Sequence, residues 1–479
     1  MRRRESDGFL VPVKVGNAAG GKEVTHGRRS EETPPALRSG NPVATKLRRI
    51  AEKARTESSF KFTSLYHLMN EELLRECFQR LRKEAAAGID NVTKEEYAAN
   101  LDANLTNLTE RLHRMAYIPQ PVRRKYIPKP GSAKQRPLGI PCFEDKLVQA
   151  GMVRILEAVY EQHFIDDSYG FRPNRSCHKA LRALSETVES KPVNHIVEAD
   201  IKGFFDHVNQ EWLLKFLEHR IGDKRILRMV KRFLKAGVAE DGAITVSDEG
   251  TPQGGVISPL LANIYLHYAL DLWYEKVYRK KCSGFARMIR YADDFVVCFQ
   301  YKADAEKFSR ELRIRLGMFG LEVEPTKTRV MEFGKFAVQN ATAKGERPAT
   351  FDFLGFTHYC GRSQDGKWFR MKRKTSKKRF TAKSQAFKEW LMKARTLKTA
   401  ELWETAKAKL RGHYAYYGVT DNVEGIGRFA RKVTELLYKW LNRRGKRGCL
   451  NWAKFNQMLK RFPLPEPRIK VKMFRVSVN

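Results

Sequence analysis

The chain has 479 residues, 91 Lys+Arg against 54 Asp+Glu and a formal net charge of +37, with 42% hydrophobic and 11% aromatic residues. That apolar fraction is ample for packed cores, on the order of three domains at roughly 150 residues each, and excludes disorder for most of the chain. The positive excess points to a polyanion partner, nucleic acid first, and residues 361–479 concentrate it, with 32 Lys+Arg against 8 Asp+Glu.

In chain order, residues 1–44 are rich in Gly, Pro, Arg and Glu without periodicity and read as a flexible basic leader. A helix is predicted near Asn70–Ala86, capped by Asn70, with Leu73, Leu74, Cys77, Phe78 and Leu81 on one face. Tyr126–Pro141 (YIPKPGSAKQRPLGIP) reads as a basic β-hairpin turning at Gly131-Ser132-Ala133. Its charges suit either phosphate contacts or plain solvation. His195–Ile201 (HIVEADI) is a short strand running into Asp200, and Asn209 caps the helix that follows. Gly250–Gly255 is a tight loop; Ser258-Pro259 then reads as an N-cap and first helical position ahead of a long helix. Met288–Tyr291 and Phe295–Phe299 are β-prone runs around Ala292-Asp293-Asp294, a hairpin that projects both carboxylates from its tip. Beyond residue 380 two amphipathic helices follow. One carries Leu402, Trp403, Ala406, Leu410, Tyr414 and Tyr417. The other carries Phe429, Val433, Leu436, Leu437, Trp440 and Leu441 behind a basic exterior.

An Asp at the end of an apolar strand and two more in a hydrophobic hairpin are open to two readings. Each could serve a turn or a cap. Together they could share divalent metal, which removes the repulsion between buried like charges and favours oxygen ligands. That second arrangement suits nucleotidyl transfer.

Arg290–Phe295 (RYADDF) resembles the Tyr-Ala-Asp-Asp box of reverse transcriptases. RPLGIP (136–141), GFRPNRS (170–176), EADIKGFFD (198–206), TPQGGVISPLLANIYL (251–266), GLEVEPTKT (320–328) and FLGF (353–356) stand in the order of the reverse-transcriptase blocks of group II intron-encoded proteins. The resemblance runs from about residue 60 to the C-terminus. It implies Asp200, Asp293 and Asp294 as catalytic metal ligands, with the Ile201 carbonyl as a further ligand and Asp206 as structural. It implies Arg136, Phe205 and Gln253 at the nucleotide, with Lys129 or Lys134 as weaker candidates. Lys327, Arg172 and Arg175 fall at the primer and template. Phe205, five residues after Asp200, stands where an aromatic ring would collide with a 2′-hydroxyl and favour deoxynucleotides. Its other reading is a packed core aromatic.

The implied fold is α+β: right-hand fingers and palm with an antiparallel palm sheet over residues 45–360, then a basic helical thumb, or maturase domain, over 361–447. A short tail follows at 448–479. GHYAYYGV (412–419) resembles the family's thumb pattern, and MKRKTSKKR (371–379) has six basic residues in nine without an acid. The function expected is RNA-directed DNA polymerase with maturase activity and a role in retromobility. Mg²⁺ is the expected cofactor, with Mn²⁺ as alternative; the expected partners are group II intron RNA, an RNA template with a DNA primer, dNTPs and target DNA. A reverse transcriptase recruited to defence or diversity generation, and a non-catalytic splicing cofactor with a relic palm, are the rivals. A His-Asn-His endonuclease module is not expected after residue 448. Seven widely spaced cysteines without a C-x-x-C pair read as reduced thiols. With no signal h-region or apolar span, a cytoplasmic, nucleoid-associated location off the membrane is expected.

Overall fold

The computed structural model describes residues 42–128, 135–246, 249–251, 253–443 and 450–473. Lys129, Lys134, Cys449 and residues 1–41 of the expected leader lie outside the described residues. Helix α1 (Pro42–Thr56) opens on a proline, whose missing N–H costs nothing there, so helix begins inside the stretch assigned to the leader. Helix α2 (Glu71–Arg80) is capped by Asn70, whose side chain accepts the Leu73 N–H at 3.0 Å. It ends well short of Ala86, because the backbone turns extended at Leu81, whose N–H still donates to the Cys77 carbonyl. Helices α3 (Lys94–Ala98) and α4 (Leu101–His113) lead into strands β1 (Val122–Pro128) and β2 (Gln135–Ile140), the predicted hairpin.

Next come α5 (Phe143–Tyr160), α6 (Cys177–Ser190), β3 (His195–Asp200), α7 (Gln210–Glu218), α8 (Lys224–Leu234), β4 (Val238–Glu240), β5 (Ala243–Thr245) and α9 (Ser258–Leu266). The α9 start differs from expectation. Gln149 of α5 accepts the Val256 and Ile257 N–H groups at 2.8 and 3.3 Å, so Ser258 is already helical. The long helix expected after it continues as π-helical turns at His267–Asp271 and Tyr274–Tyr278. Strands β6 (Ala286–Tyr291) and β7 (Asp294–Phe299), helix α10 (Lys302–Gly317), strand β8 (Arg329–Glu332) and helix α11 (Ala337–Ala343) complete this part. Strands β9 (Thr350–Phe353), β10 (Phe356–Arg362) and β11 (Phe369–Thr375) precede α12 (Lys377–Ala394), α13 (Thr399–Tyr417), α14 (Val423–Leu441) and α15 (Trp452–Arg461).

The strands form three sheets, ordered β2-β1-β4-β5, β6-β7-β3-β8 and β11-β10-β9. The second is the antiparallel palm sheet, with β3 between β7 and β8. Its faces are divided by the two-residue period of the strand. Val197 and Ala199 pack into one core with α1, α2, α5 and α7–α10, whereas Ile196, Val296 and Cys298 pack into a second with α6, β9–β11 and α12–α15. The architecture is therefore fingers and palm followed by a helical thumb that shares a core with the back of the palm.

Strand β11 corrects one reading of the basic run 371–379. Alternation points Met371, Arg373 and Thr375 inward, and Arg373 is fully buried with its guanidinium on the Ser185 hydroxyl. Its strand neighbours Lys372 and Lys374 are turned outward, and Lys377, Lys378 and Arg379 beyond the strand are exposed.

Because Phe353, Phe356 and Met371 are buried in the core the thumb completes, truncation after Thr375 uncovers them. At about 1.5–3 kcal/mol each this approaches the whole marginal stability of roughly 5–15 kcal/mol. The truncated chain is expected to lose cooperative melting, or to melt at least about 10 °C lower by circular dichroism. An unchanged transition would show that the thumb is an independent module.

Candidate active site

The site grows from strand register. Asp200 ends β3 directly opposite Asp294, the first residue of β7, and Tyr291 at the end of β6 faces Asp294 from the other side. Register partners send side chains to the same face of a sheet. Asp294 is thus a strand residue and not part of the tip. The turn itself is Ala292-Asp293, with Ala292 left-handed at φ +57°.

Three carboxyls in this space repel one another. Burial, followed by the Asp200 charge, pushes the Asp293 carboxyl above its ordinary range, with Arg136 and Arg290 opposing. Asp294 is pushed up to about 8, first by burial and then by Asp293 and Asp200. The segment 320–328 runs alongside: Ile201 bridges Val323, the Asp200 carbonyl accepts the Glu324 N–H at 2.8 Å, and the Lys327 ammonium is ion-paired to the Asp200 carboxylate. Lys327, expected at the primer, is therefore the counter-charge of the first acid.

Phe205, Gln253 and Arg136 are tied to one another through the loop of residues 250–255, and the Arg136 charge acts on Asp293. The Thr251 N–H donates to the Phe205 carbonyl at 2.8 Å, and Gln253 donates to the Asp206 carboxylate at 3.1 Å. Asp206 thus holds the loop of Gln253, in line with its structural reading. Phe205 is half-buried with its ring edge-on to Phe204, 5.3 Å between centroids, so it packs and still presents surface. The Gly139 N–H donates to the Gln253 carbonyl at 2.5 Å, which couples the strand of the exposed Arg136 to this loop. Gly254, at φ +113°, cannot carry a side chain, because a Cβ would lie 2.5 Å from the Gly139 oxygen.

Arg172 and Arg175 depart from expectation. Arg172 is buried; its guanidinium is held by Glu161 and donates to the Ile165 and Ser168 carbonyls at 2.6 and 2.7 Å. A guanidinium so occupied holds its own loop and has no reach to a template. Arg175 donates to the Asp166 carbonyl and carboxylate at 2.9 and 2.8 Å, leaving part of its surface open.

What that loop positions is the acid hairpin. Gly170 lies so tightly against the Ala292 amide that a Cβ has no room, and the Tyr169 N–H donates to the Arg290 carbonyl at 2.8 Å. Arg290 is fully buried, paired with Asp271 at 2.7 and 2.5 Å and donating to the Ala292 carbonyl at 2.9 Å. Asn263 accepts from Arg290 at 3.2 Å and donates to the Gly170 carbonyl at 2.6 Å. None of Arg290, Asp271 or Asn263 was singled out from sequence. The available signal was an arginine against the acid box and an aspartate on an otherwise apolar helical stretch.

Residues 127–358 match the family described as reverse transcriptase (RNA-dependent DNA polymerase). Protein YkfC of Escherichia coli K12 is 34% identical over 323 residues, covering 60% of this chain and 84% of that protein. Group II intron-encoded protein LtrA of Lactococcus lactis is 39% identical over 227 residues, 47% of this chain and 38% of LtrA. An uncharacterized 91 kDa protein in the cob intron of Schizosaccharomyces pombe is 42% identical over 147 residues, 31% of this chain and 18% of that protein. This chain belongs to the reverse transcriptase family of group II intron-encoded proteins. The match reaches well under half the length of LtrA. Among the described residues no helix of this reverse transcriptase homologue is long and apolar enough to cross a membrane.

The acids also bear on metal. Among the described residues no three side chains of ligating type are gathered at ligand spacing. The Asp200 carboxylate is paired with Lys327. Burial, and after it the Asp293 and Asp200 charges, push the Asp294 carboxyl up, and a hard divalent ion among these oxygens would relieve that cost.

Asp294 also predicts a pH dependence. Its folded value lies above the ordinary 3.8, so the folded chain keeps a proton the unfolded chain releases, and stability falls as pH climbs from about 4 to about 8. Without divalent ions, Asp294→Asn is expected to gain about 2–4 °C over the parent between pH 5 and pH 8. Added Mg²⁺ should stabilise the parent more than the variant at pH 8. A gap between the two that does not change with pH would contradict the placement of Asp294.

Proposed function

We propose that this chain is an RNA-directed DNA polymerase that also binds group II intron RNA as a maturase and takes part in retromobility. The observation that carries the reading is the register pairing of Asp200 with Asp294 beside the Asp293 turn, on a palm sheet with fingers on one side and a basic thumb on the other. Asp200 and Asp293 are the primary metal ligands, the Ile201 carbonyl a further one, and Asp294 the third acid. Divalent ions held there, Mg²⁺ by preference, supply the lowered pKa of the primer 3′-hydroxyl and the counter-charge for the departing pyrophosphate.

The chain's own residues do the positioning. Lys327 neutralises Asp200; were a divalent ion held by Asp200, the lysine would be free for a primer or substrate phosphate. Arg136 brings positive charge towards Asp293 from β2 and takes the triphosphate, together with Lys129. Gln253 lines the nucleotide pocket, and Phe205 blocks the 2′-hydroxyl. The exposed Arg428, Arg431, Lys432 and Lys439 on α14 stand behind a buried apolar face and suit RNA phosphates. Residues 1–44, 45–360, 361–447 and 448–479 remain the proposed division into leader, fingers and palm, thumb, and tail. The polymerase acts on an RNA template and DNA primer with dNTPs, its mobility step on target DNA, and its place is the cytoplasm at the nucleoid.

Primer extension on poly(rA) with an oligo(dT) primer, dTTP and Mg²⁺ tests this. The parent is expected to extend, and Asp293→Ala to lose about 100-fold or more in rate. Equal extension by both would remove the acids from the chemistry. Phe205→Val is expected to raise ribonucleotide incorporation about ten-fold relative to deoxynucleotides, and unchanged discrimination would return Phe205 to a packing role alone.

A further inference from the structure

Helix α13 of the thumb meets the palm at the Leu354-Gly355 turn, between β9 and β10. Leu354 is left-handed at φ +50°, a conformation a branched side chain holds only where its surroundings impose it. Gly355 follows at φ +82°, and the Tyr417 hydroxyl stands 3.2 Å from where a Cβ would be. The Tyr416 hydroxyl donates to the Leu354 carbonyl at 2.8 Å. The Leu354 N–H, on the other side of the same residue, is directed at the Asp294 carboxyl. The left-handed turn is thus held by a thumb tyrosine at one end and presents its N–H towards a palm acid at the other.

Two further contacts close the circuit. The Cys177 thiol at the start of α6 lies within hydrogen-bonding reach of both the Tyr416 and Tyr291 hydroxyls, and Tyr291 is the register partner of Asp294. The Tyr416 ring stacks on Phe356 with centroids 5.9 Å apart, and its carbonyl is held by His178 at 2.8 Å. Tyr416 itself is half-buried and touches none of the nucleotide-side residues described above.

We propose that Tyr416 is a positioning residue for the palm acids: by holding the Leu354-Gly355 turn it sets the peptide N–H that orients Asp294, so a docked α13 is part of a competent active site. Without the hydroxyl the Leu354 carbonyl loses its partner, the turn relaxes towards negative φ, and its N–H leaves Asp294. This rests on Asp294 belonging to the metal-binding acids.

The test uses full-length Tyr416→Phe, which keeps the ring and its stacking and removes one hydrogen bond. Mn²⁺ binding is followed by electron paramagnetic resonance titration, with steady-state primer extension and thermal melting on the same preparations. The Mn²⁺ dissociation constant is expected to rise about five-fold. The extension kcat falls by a similar factor, KM for template–primer is unchanged, and the melting temperature moves by less than about 2 °C. Cys177→Ala, which loosens the same hydroxyl from the other side, shifts Mn²⁺ binding in the same direction and keeps the question decidable if Tyr416→Phe folds poorly. Unchanged Mn²⁺ affinity in the folded variants overturns the inference, whatever happens to kcat. A parent that binds Mn²⁺ but extends no primer refutes the polymerase reading, and the Mn²⁺ comparison still decides this one.

Discussion

Everything at this site depends on the register of β3 against β7. Asp200 faces Asp294 because Ile196 faces Cys298 and Val197 faces Val297 along the same ladder. A slip of one residue would turn every side chain of β3 to the other face, burying Asp200 where Ala199 now sits. Both faces of β3 are buried by separate cores, one from fingers and palm and one from palm and thumb, so neither can absorb a misplaced charge. The two cores therefore pin the acids as firmly as any contact the acids make themselves.

The turn beyond the register is fixed by a different device. A fully buried Arg290–Asp271 pair reaches the Ala292 carbonyl, and the glycine of the Gly170 loop leaves no slack behind the hairpin. Such a pair loses much of its Coulombic gain to desolvation, so its contribution is to geometry more than to net stability. The wide π-helical turn that carries Asp271 belongs to the same support. Acids pushed to high pKa at one end of β7 and an arginine buried at its flank are parts of a single arrangement. The protein spends stability there to hold buried carboxyls together at the end of the paired strands.

Much of this was legible in the sequence, though unevenly. The strand into Asp200, the basic hairpin, the acid hairpin and the apolar faces of α13 and α14 were readable because each is a local pattern of period or turn. The hidden features join residues far apart. Lys327 on Asp200, Gln149 on the start of α9 and Tyr416 on Leu354 leave no trace in any local window. The resemblance for Arg172 and charge counting for Arg373 both miss burial, for a related reason. A guanidinium contributes equally to net charge whether it faces solvent or lies buried on carbonyls and hydroxyls, and only the fold distinguishes the two. Alternation along β11 did contain that information for Arg373, but a run of basic residues obscures a period of two.

The central claim is that paired strands hold Asp200, Asp293 and Asp294 as a metal site at the primer end. Anomalous diffraction from Mn²⁺ in crystals of the full chain with template–primer and a non-hydrolysable deoxynucleotide tests it most directly. The account predicts anomalous peaks bridged by Asp200 and Asp293, with Lys327 displaced from Asp200. Density that leaves the Lys327–Asp200 pair intact, with no ion between the acids and the triphosphate, would contradict it.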